Sequence, residues 1–441
     1  MIQPASVRWK PRSIVTSWGR SSMLVLVFVF ALLGADALKP PVGAAEPLVF
    51  GVNNPVHGYD TRPTRDRFSR FKADLDAGRI TLEAGDELTL LRSVLGALEI
   101  PVSSQMLVTS ATSFQKTIIS PRRPRALYFN DDTYVGFVPG GQIEVVSIDP
   151  ALGPIFSIFG RPTAAGKAPR IQRIASCLTC HATPQMDEIP QLVIESVVPS
   201  ITGGGEKAFR RDLSGHGVPL DQRFGGWLVT GAPWFSQHWG NILIERTRSG
   251  AKQRSMEPGE LFDLGRYPIP TSELLPQLLH EHQVGFTNRA VTATYRTRVL
   301  LQENAGRIEA IKPDLESLAR GLVRYLLFAD EVPLPPGGVT GAEAFKTDFL
   351  AKRRVASNGH SLRDLELSTR LMRYRCSYMI DSPAFAGLPQ PLRQIVDLEL
   401  ERALDPATTT QEYAYLPAEE KQVIRTILQE MRPPSAQEDP R

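Results

Sequence analysis

The chain has 441 residues, 42% of them hydrophobic and 22% charged. That composition is globular and long enough for two or three domains, which excludes global disorder and fibrous architectures. The formal charge is +3, but residues 1–45 carry five bases (Arg8, Lys10, Arg12, Arg20 and Lys39) against Asp36 alone; the remainder is nearly neutral, so charge gives no indication of a nucleic-acid binder.

The amino terminus reads as an export signal. A basic stretch precedes the apolar run Met23–Gly34, and small residues follow, with Ala35-x-Ala37 and Val42-x-Ala44 as cleavage candidates. The run has 12 residues, whereas a membrane-spanning helix needs roughly 20. Cleavage is therefore favoured over retention as an N-terminal anchor. The mature chain is expected to be periplasmic or otherwise exported, without a stable membrane span.

Residues 46–66 are rich in Pro, Gly and Asn and should be irregular. Helical spacing follows over Arg67–Gly78 and Glu83–Glu99, the second carrying Leu88, Leu91, Val94, Leu95 and Leu98. From residue 104 the pattern becomes short β-rich runs: Met106–Val108, Ala126–Phe129, Thr133–Val138, Ile143–Ile148 and Ile155–Phe159. Asn130-Asp131-Asp132 sits between two of them and reads as a polar hairpin turn rather than a metal or acid–base pair. Residues 160–190 form a Gly/Pro/Ala-rich loop. Strand-like pieces resume at Gln191–Val198, Trp227–Thr230 and Ile242–Glu245. Helices are expected at Ser272–Gln283, within Asn288–Glu331, and over Gly341–Lys352, Pro391–Ala403 and Ala418–Met431, with Pro313 breaking the long stretch. The tail PPSAQEDPR should fray.

The expected fold is α+β, with a helical lead-in, a β-rich centre carrying a cofactor loop and a helical C-terminal part. The corresponding segmentation is 1–45 signal peptide, 46–160 helical then β-rich, 161–270 cofactor-attachment region and 271–441 helical region.

Three cysteines are too few for a disulfide scaffold. Two of them lie in Cys177-Leu-Thr-Cys180-His181, the CxxCH pattern of covalent haem attachment. Two thiols add to the two vinyl groups of one porphyrin, and the adjacent imidazole binds the iron axially. His makes up 7 of the 441 residues, so one directly following a CxxC arises by chance only about once in sixty. A thiol–disulfide pair would be expected to open a helix in a βαβ unit, and a structural zinc site needs a second ligand pair, whereas Cys376 is alone and reads as a buried, inert thiol. The expectation is one covalent haem c, with its iron on His181.

The sixth iron position has several candidates: His57, His216, His238, His280, His282 and His360, with Met106, Met186, Met256 and Met379. His238 is the preferred distal ligand, because it lies in the aromatic stretch Trp234–Asn241, which could wall an apolar haem pocket. His280-Glu281-His282 fails as a zinc-protease motif, since Val284 stands where the second His belongs. Between Gly160 and His181 there are Arg161, Lys167, Arg170 and Arg173 and no acid. At least one of Arg170 and Arg173 is expected to contact a haem propionate, unless this basic rim faces an acidic redox partner.

Residues 103–141, 176–182, 225–241, 281–283 and 375–389 together resemble a family of large exported bacterial proteins with a single c-type haem motif, described only as cytochrome c domain-containing. The resemblance implies haem attachment and no particular reaction. Members carry a His–Met pair in the region of His238 and a further His near 233; this chain has Trp239 and Pro233 there. The functional expectation is an exported monohaem electron-transfer protein with a redox partner of unknown identity. The alternatives are a haem enzyme of peroxidase or oxidase type with an open distal position, or a haem-based sensor.

Overall fold

The computed structural model describes residues 48–83, 85–160, 169–210, 214–231, 238–408 and 410–431. The leader over 1–45, Arg161 and Lys167, residues 232–237 and the C-terminal tail lie outside the described residues. Two helices open the fold, α1 (Arg67–Asp76) and α2 (Glu87–Ala97). Each starts on an aspartate whose carboxylate accepts a hydrogen bond from an orphan backbone N–H: Asp66 from Ser69 and Asp86 from Thr89. Phe68, Phe71 and Leu75 of α1 and Leu90, Leu91, Val94 and Leu95 of α2 form one apolar face.

That face lies on a seven-stranded antiparallel sheet. Its strands are β1 (Met106–Val108), β2 (Arg125–Phe129), β3 (Thr133–Phe137), β4 (Ile143–Asp149), β5 (Gly153–Phe159) and β6 (Ile171–Arg173), an up-and-down meander. The polar turn expected at Asn130 is present: its side-chain oxygen accepts from the N–H groups of Asp132 and Thr133, closing β2 onto β3. Alternation decides which side each residue serves. Leu107, Ala126, Tyr128, Val135, Phe137 and Val145 face α1 and α2. Met106, Val108, Phe129, Tyr134 and Ile148 face the opposite core, shared with the C-terminal helices.

After β6 come the short helix α3 (Leu178–His181) and the paired strands β7 (Ser196–Pro199) and β8 (Gly205–Arg210). Next is β9 (Trp227–Leu228), which completes the sheet by pairing antiparallel to β1, and then the hairpin of β10 (Ile242–Thr247) and β11 (Gly250–Ser255). The C-terminal part holds α4 (Leu274–Glu303), α5 (Ile308–Leu326), α6 (Glu343–Ala351), α7 (Pro383–Ala386), α8 (Gln390–Leu404) and α9 (Ala418–Met431). The α+β class is as the sequence implies, and residues from Leu48 onward form one compact unit. No described helix is long and apolar enough to cross a membrane.

Two local expectations fail for identifiable reasons. Pro313 does not break its helix; it sits in the second turn of α5 while Ile311, Leu315, Ala319 and Leu322 of the same helix stay packed in the core. The chain breaks earlier, between Asn304 and Arg307, where Ala305 and Gly306 adopt positive φ. The strand expected over Gln191–Val198 contracts to Ser196–Pro199, because the backbone of Gln191 and Leu192 bonds elsewhere, as described next.

Candidate functional site

The CLTCH segment winds as one helical stretch. Residues Ala175–Cys177 form a 3-10 turn that runs directly into α3. Cys177 and Cys180 are therefore three residues apart on helical backbone, a spacing that places both side chains on the same side. Both thiols are free, Cys177 half-buried and Cys180 exposed. Burial, followed by the charge of Glu144, pushes the Cys177 thiol up to about 11. A disulfide-exchange nucleophile needs the opposite, a stabilised thiolate. Leu178 anchors the turn against a buried cluster that includes Tyr59, Ile155, Val291 and Tyr295.

His181 is held at two points. Its carbonyl accepts the N–H of Gln191 at 2.7 Å, and its Nδ1 lies 2.8 Å from the carbonyl oxygen of Gln191. A carbonyl only accepts, so Nδ1 carries the proton and Nε2 keeps its lone pair. Burial lowers the His181 pKa and favours this neutral form. One side of the ring lies against Phe156, with centroids 4.5 Å apart. A ligating histidine ordinarily presents this arrangement, the far N–H tied to a carbonyl and the other nitrogen left for the metal.

The carbonyl that orients His181 is itself clamped. Asn288 of α4 accepts the N–H of Leu192 and donates to the Leu192 carbonyl, both at 2.8 Å. These bonds, with those to His181, replace the strand ladder that the apolar pattern of Gln191–Val198 suggests. Neither Asn288 nor a main-chain carbonyl carries a sequence signature, so both escape a reading by motif.

Cys177, Cys180 and His181 fit a covalently held haem: two reduced thiols on one helical stretch, followed by an imidazole in the ligating tautomer. Among the described residues no three His, Cys, Asp or Glu side chains converge on a common metal position, as a structural zinc site would require.

The remaining candidates are dispersed. His238 accepts the Gly240 N–H on Nδ1 at 2.9 Å and meets Phe224 edge-on. The lone pair of this conformer therefore faces its own main chain, and iron ligation at Nε2 requires the other tautomer and loss of that bond. Nε2 of His57 lies 3.0 Å from the Phe50 carbonyl oxygen, and its ring stacks on Tyr295. His280 is buried among Phe129, Tyr134 and Trp227, and His360 lies against Tyr374. Met106, Met256 and Met379 are core residues, and Met186 is half-buried in a 3-10 turn after the haem motif. Cys376 is fully buried. Of the two arginines expected near a propionate, Arg173 donates to the Tyr59 carbonyl at 2.7 Å and covers the Tyr59 ring, beside the cluster that anchors Leu178, and Arg170 is exposed.

A buried polar chain went unread in the sequence. Ser377 Oγ lies 2.7 Å from His282 Nε2, and His282 Nδ1 lies 2.8 Å from His216 Nδ1. Tyr325 stacks on His216 and donates to the His282 carbonyl. Beside the chain, Arg223 donates to the His216 carbonyl and pairs with Glu281 at 3.2 Å, both side chains only 3% exposed. Ser377 and His282 are wholly enclosed, so the chain ties α4, α5 and two loops together without reaching solvent. Comparison with protein-family models, with curated proteins and with solved structures found no match.

Proposed function

We propose that the chain is an exported c-type monohaem protein. In this reading Cys177 and Cys180 carry one haem covalently, His181 supplies the proximal iron ligand, and the role is electron transfer, in keeping with the exported bacterial monohaem proteins it resembles. The observation that carries the reading is the hydrogen bond from His181 Nδ1–H to the Gln191 carbonyl, at 2.8 Å, on the same helical stretch as two free thiols. The haem, when bound, supplies a one-electron couple. The chain's own contribution is to fix the imidazole: the Gln191 carbonyl holds its proton, Phe156 covers the ring, and Asn288 secures the backbone that makes both constraints dependable. Donation from Nδ1–H to a carbonyl increases the basicity of Nε2, which favours the ferric state and lowers the potential.

The test is expression in cells that mature c-type cytochromes, followed by haem staining of a denaturing gel and intact mass measurement. The expected product stains red and gains the mass of one porphyrin, and Cys177→Ala combined with Cys180→Ala loses both signals. A colourless wild-type product, or staining that persists in the double variant, refutes the attachment site. A low-spin oxidised spectrum unresponsive to cyanide and peroxide supports electron transfer; a high-spin, ligand-responsive one shifts the reading to a haem enzyme or sensor.

A further inference from the structure

An open cavity of about 370 Å³ lies between α4 and α5. Its walls differ in chemistry. Gln191, Ser214, Asn288 and Thr292 give a polar side, while Ala293, Leu318 and Leu322 give an apolar one. Among the described residues no Asp or Glu lines it, and Arg289 is the one cation.

Arg289 is oriented, and no acid among the described residues matches its charge. Its guanidinium lies 4.2 Å over the Tyr325 ring, and Nη1 donates to the Gly285 carbonyl at 2.8 Å and approaches the Ser214 carbonyl at 3.5 Å. These contacts hold the planar head in place without neutralising it. Among the described residues no carboxylate pairs with it, although arginines elsewhere on this surface, such as Arg246, Arg324 and Arg402, have acidic partners. A preorganised guanidinium with spare N–H donors recognises a carboxylate, and the Leu318–Leu322 wall beside it suits a short apolar tail. The apolar wall runs from Leu318 to Leu322, one helical turn or about 6 Å, which matches a tail of a few carbon atoms.

We infer that the cavity between α4 and α5 is a binding site for a short-chain monocarboxylate, with Arg289 holding the carboxylate and Leu318 and Leu322 receiving the aliphatic tail. The cavity shares Gln191 and Asn288 with the clamp behind His181, but the contact of Arg289 with a carboxylate does not require a haem. Gly321 offers a way to close it: this glycine lies on the cavity lining, and a Cβ built on it meets no atom within 4 Å. Because that Cβ stands in open space on the lining, a larger side chain at this position narrows the opening.

The test is titration calorimetry of the full purified chain with butyrate, set against butanol and butylammonium as tails without the anion. Butyrate is expected to bind saturably with a dissociation constant of about 1 mM, and the two controls at least tenfold more weakly. Arg289→Gln, an exposed substitution, should weaken butyrate by about tenfold or more, the loss expected for a charge-assisted pair. Gly321→Phe should abolish binding while the melting temperature stays within a few degrees of wild type; Gly321→Leu serves if the phenylalanine variant melts early. Absence of saturable butyrate binding, equal binding of butanol, or unchanged affinity in Arg289→Gln overturns the proposal.

Discussion

Gly285 shows how little room the centre of the molecule leaves. A Cβ built at this position in α4 would fall inside contact distance of the Tyr325 hydroxyl and within 2.7 Å of the Gly215 Cα. Gly285→Ala is therefore expected to destabilise the fold by about 1–3 kcal/mol through overpacking, measured as a lower midpoint in chemical denaturation. Tyr325→Phe removes the offending oxygen and should restore part of the loss in the double variant, even though it gives up the bond to the His282 carbonyl. Unequal legibility at this scale has a physical basis. Cys177, Cys180 and His181 act through their adjacency in the chain, so their spacing declares them. His216, His282 and Ser377 meet only because α4, α5 and two loops converge, and nothing in local sequence registers that meeting.

Between elements, the decisive contact is the clamp of Asn288 on Leu192, which couples α4 to the segment that orients His181. Asn288→Leu removes both clamp bonds and should loosen the Gln191 carbonyl. With the proposed haem in place, the iron's imidazole loses electron donation and the reduction potential should rise, while covalent staining and the intact mass stay unchanged. A redox titration measures this, and an unchanged potential would mean that the clamp does not reach the iron. The strands of the meander were legible because their alternation is unbroken and polar turns such as Asn130–Asp132 separate them. The segment Gln191–Ile194 was not, because its apolar pattern suits a strand while its backbone groups are taken by α3 and α4. Proline is a strong breaker, so the sequence points to a break at Pro313, but the second turn of a helix with a packed face tolerates it, and the Ala305–Gly306 pair ends α4 instead.

For the whole molecule, the buried histidines set the response to acid. Burial lowers His216 and His280 to about 3 and His57 to about 4, and it holds His282 well below its ordinary value. The unfolded chain binds these protons near pH 6.5, and the folded chain does not until far lower. Their contribution is therefore complete above pH 6.5 and is lost as pH falls through the window from 6.5 to about 3, at up to about 1.4 kcal/mol per pH unit for each histidine. Glu331 works in the opposite direction: burial raises it to about 7, so its contribution is complete below its unfolded value near 4.5 and is lost as pH rises towards 7. Four histidines outweigh one carboxyl, and denaturation midpoints should fall steadily from pH 7 to pH 4. A flat profile over that range would show that the histidines are accessible to protons in the folded state. The α+β class was legible from the order of patterns along the chain; the merging of its β-rich and helical parts into shared cores was not, because it depends on strand faces and helix faces meeting across long separations.

The order of these parts along the polypeptide has a consequence for biogenesis. Strands β1 to β6 are neighbours both in space and in sequence, and all precede the CLTCH turn, so in an exported chain that emerges amino terminus first these six strands can pair before that turn appears. Asn288 follows Leu192 by 96 positions, and the clamp can close only after most of α4 has been made. Emergence from the amino terminus thus leaves a time window in which the two thiols stand on a scaffold already laid down but not yet locked, and if the proposed haem is attached, that is the interval in which a maturation enzyme reaches them unhindered.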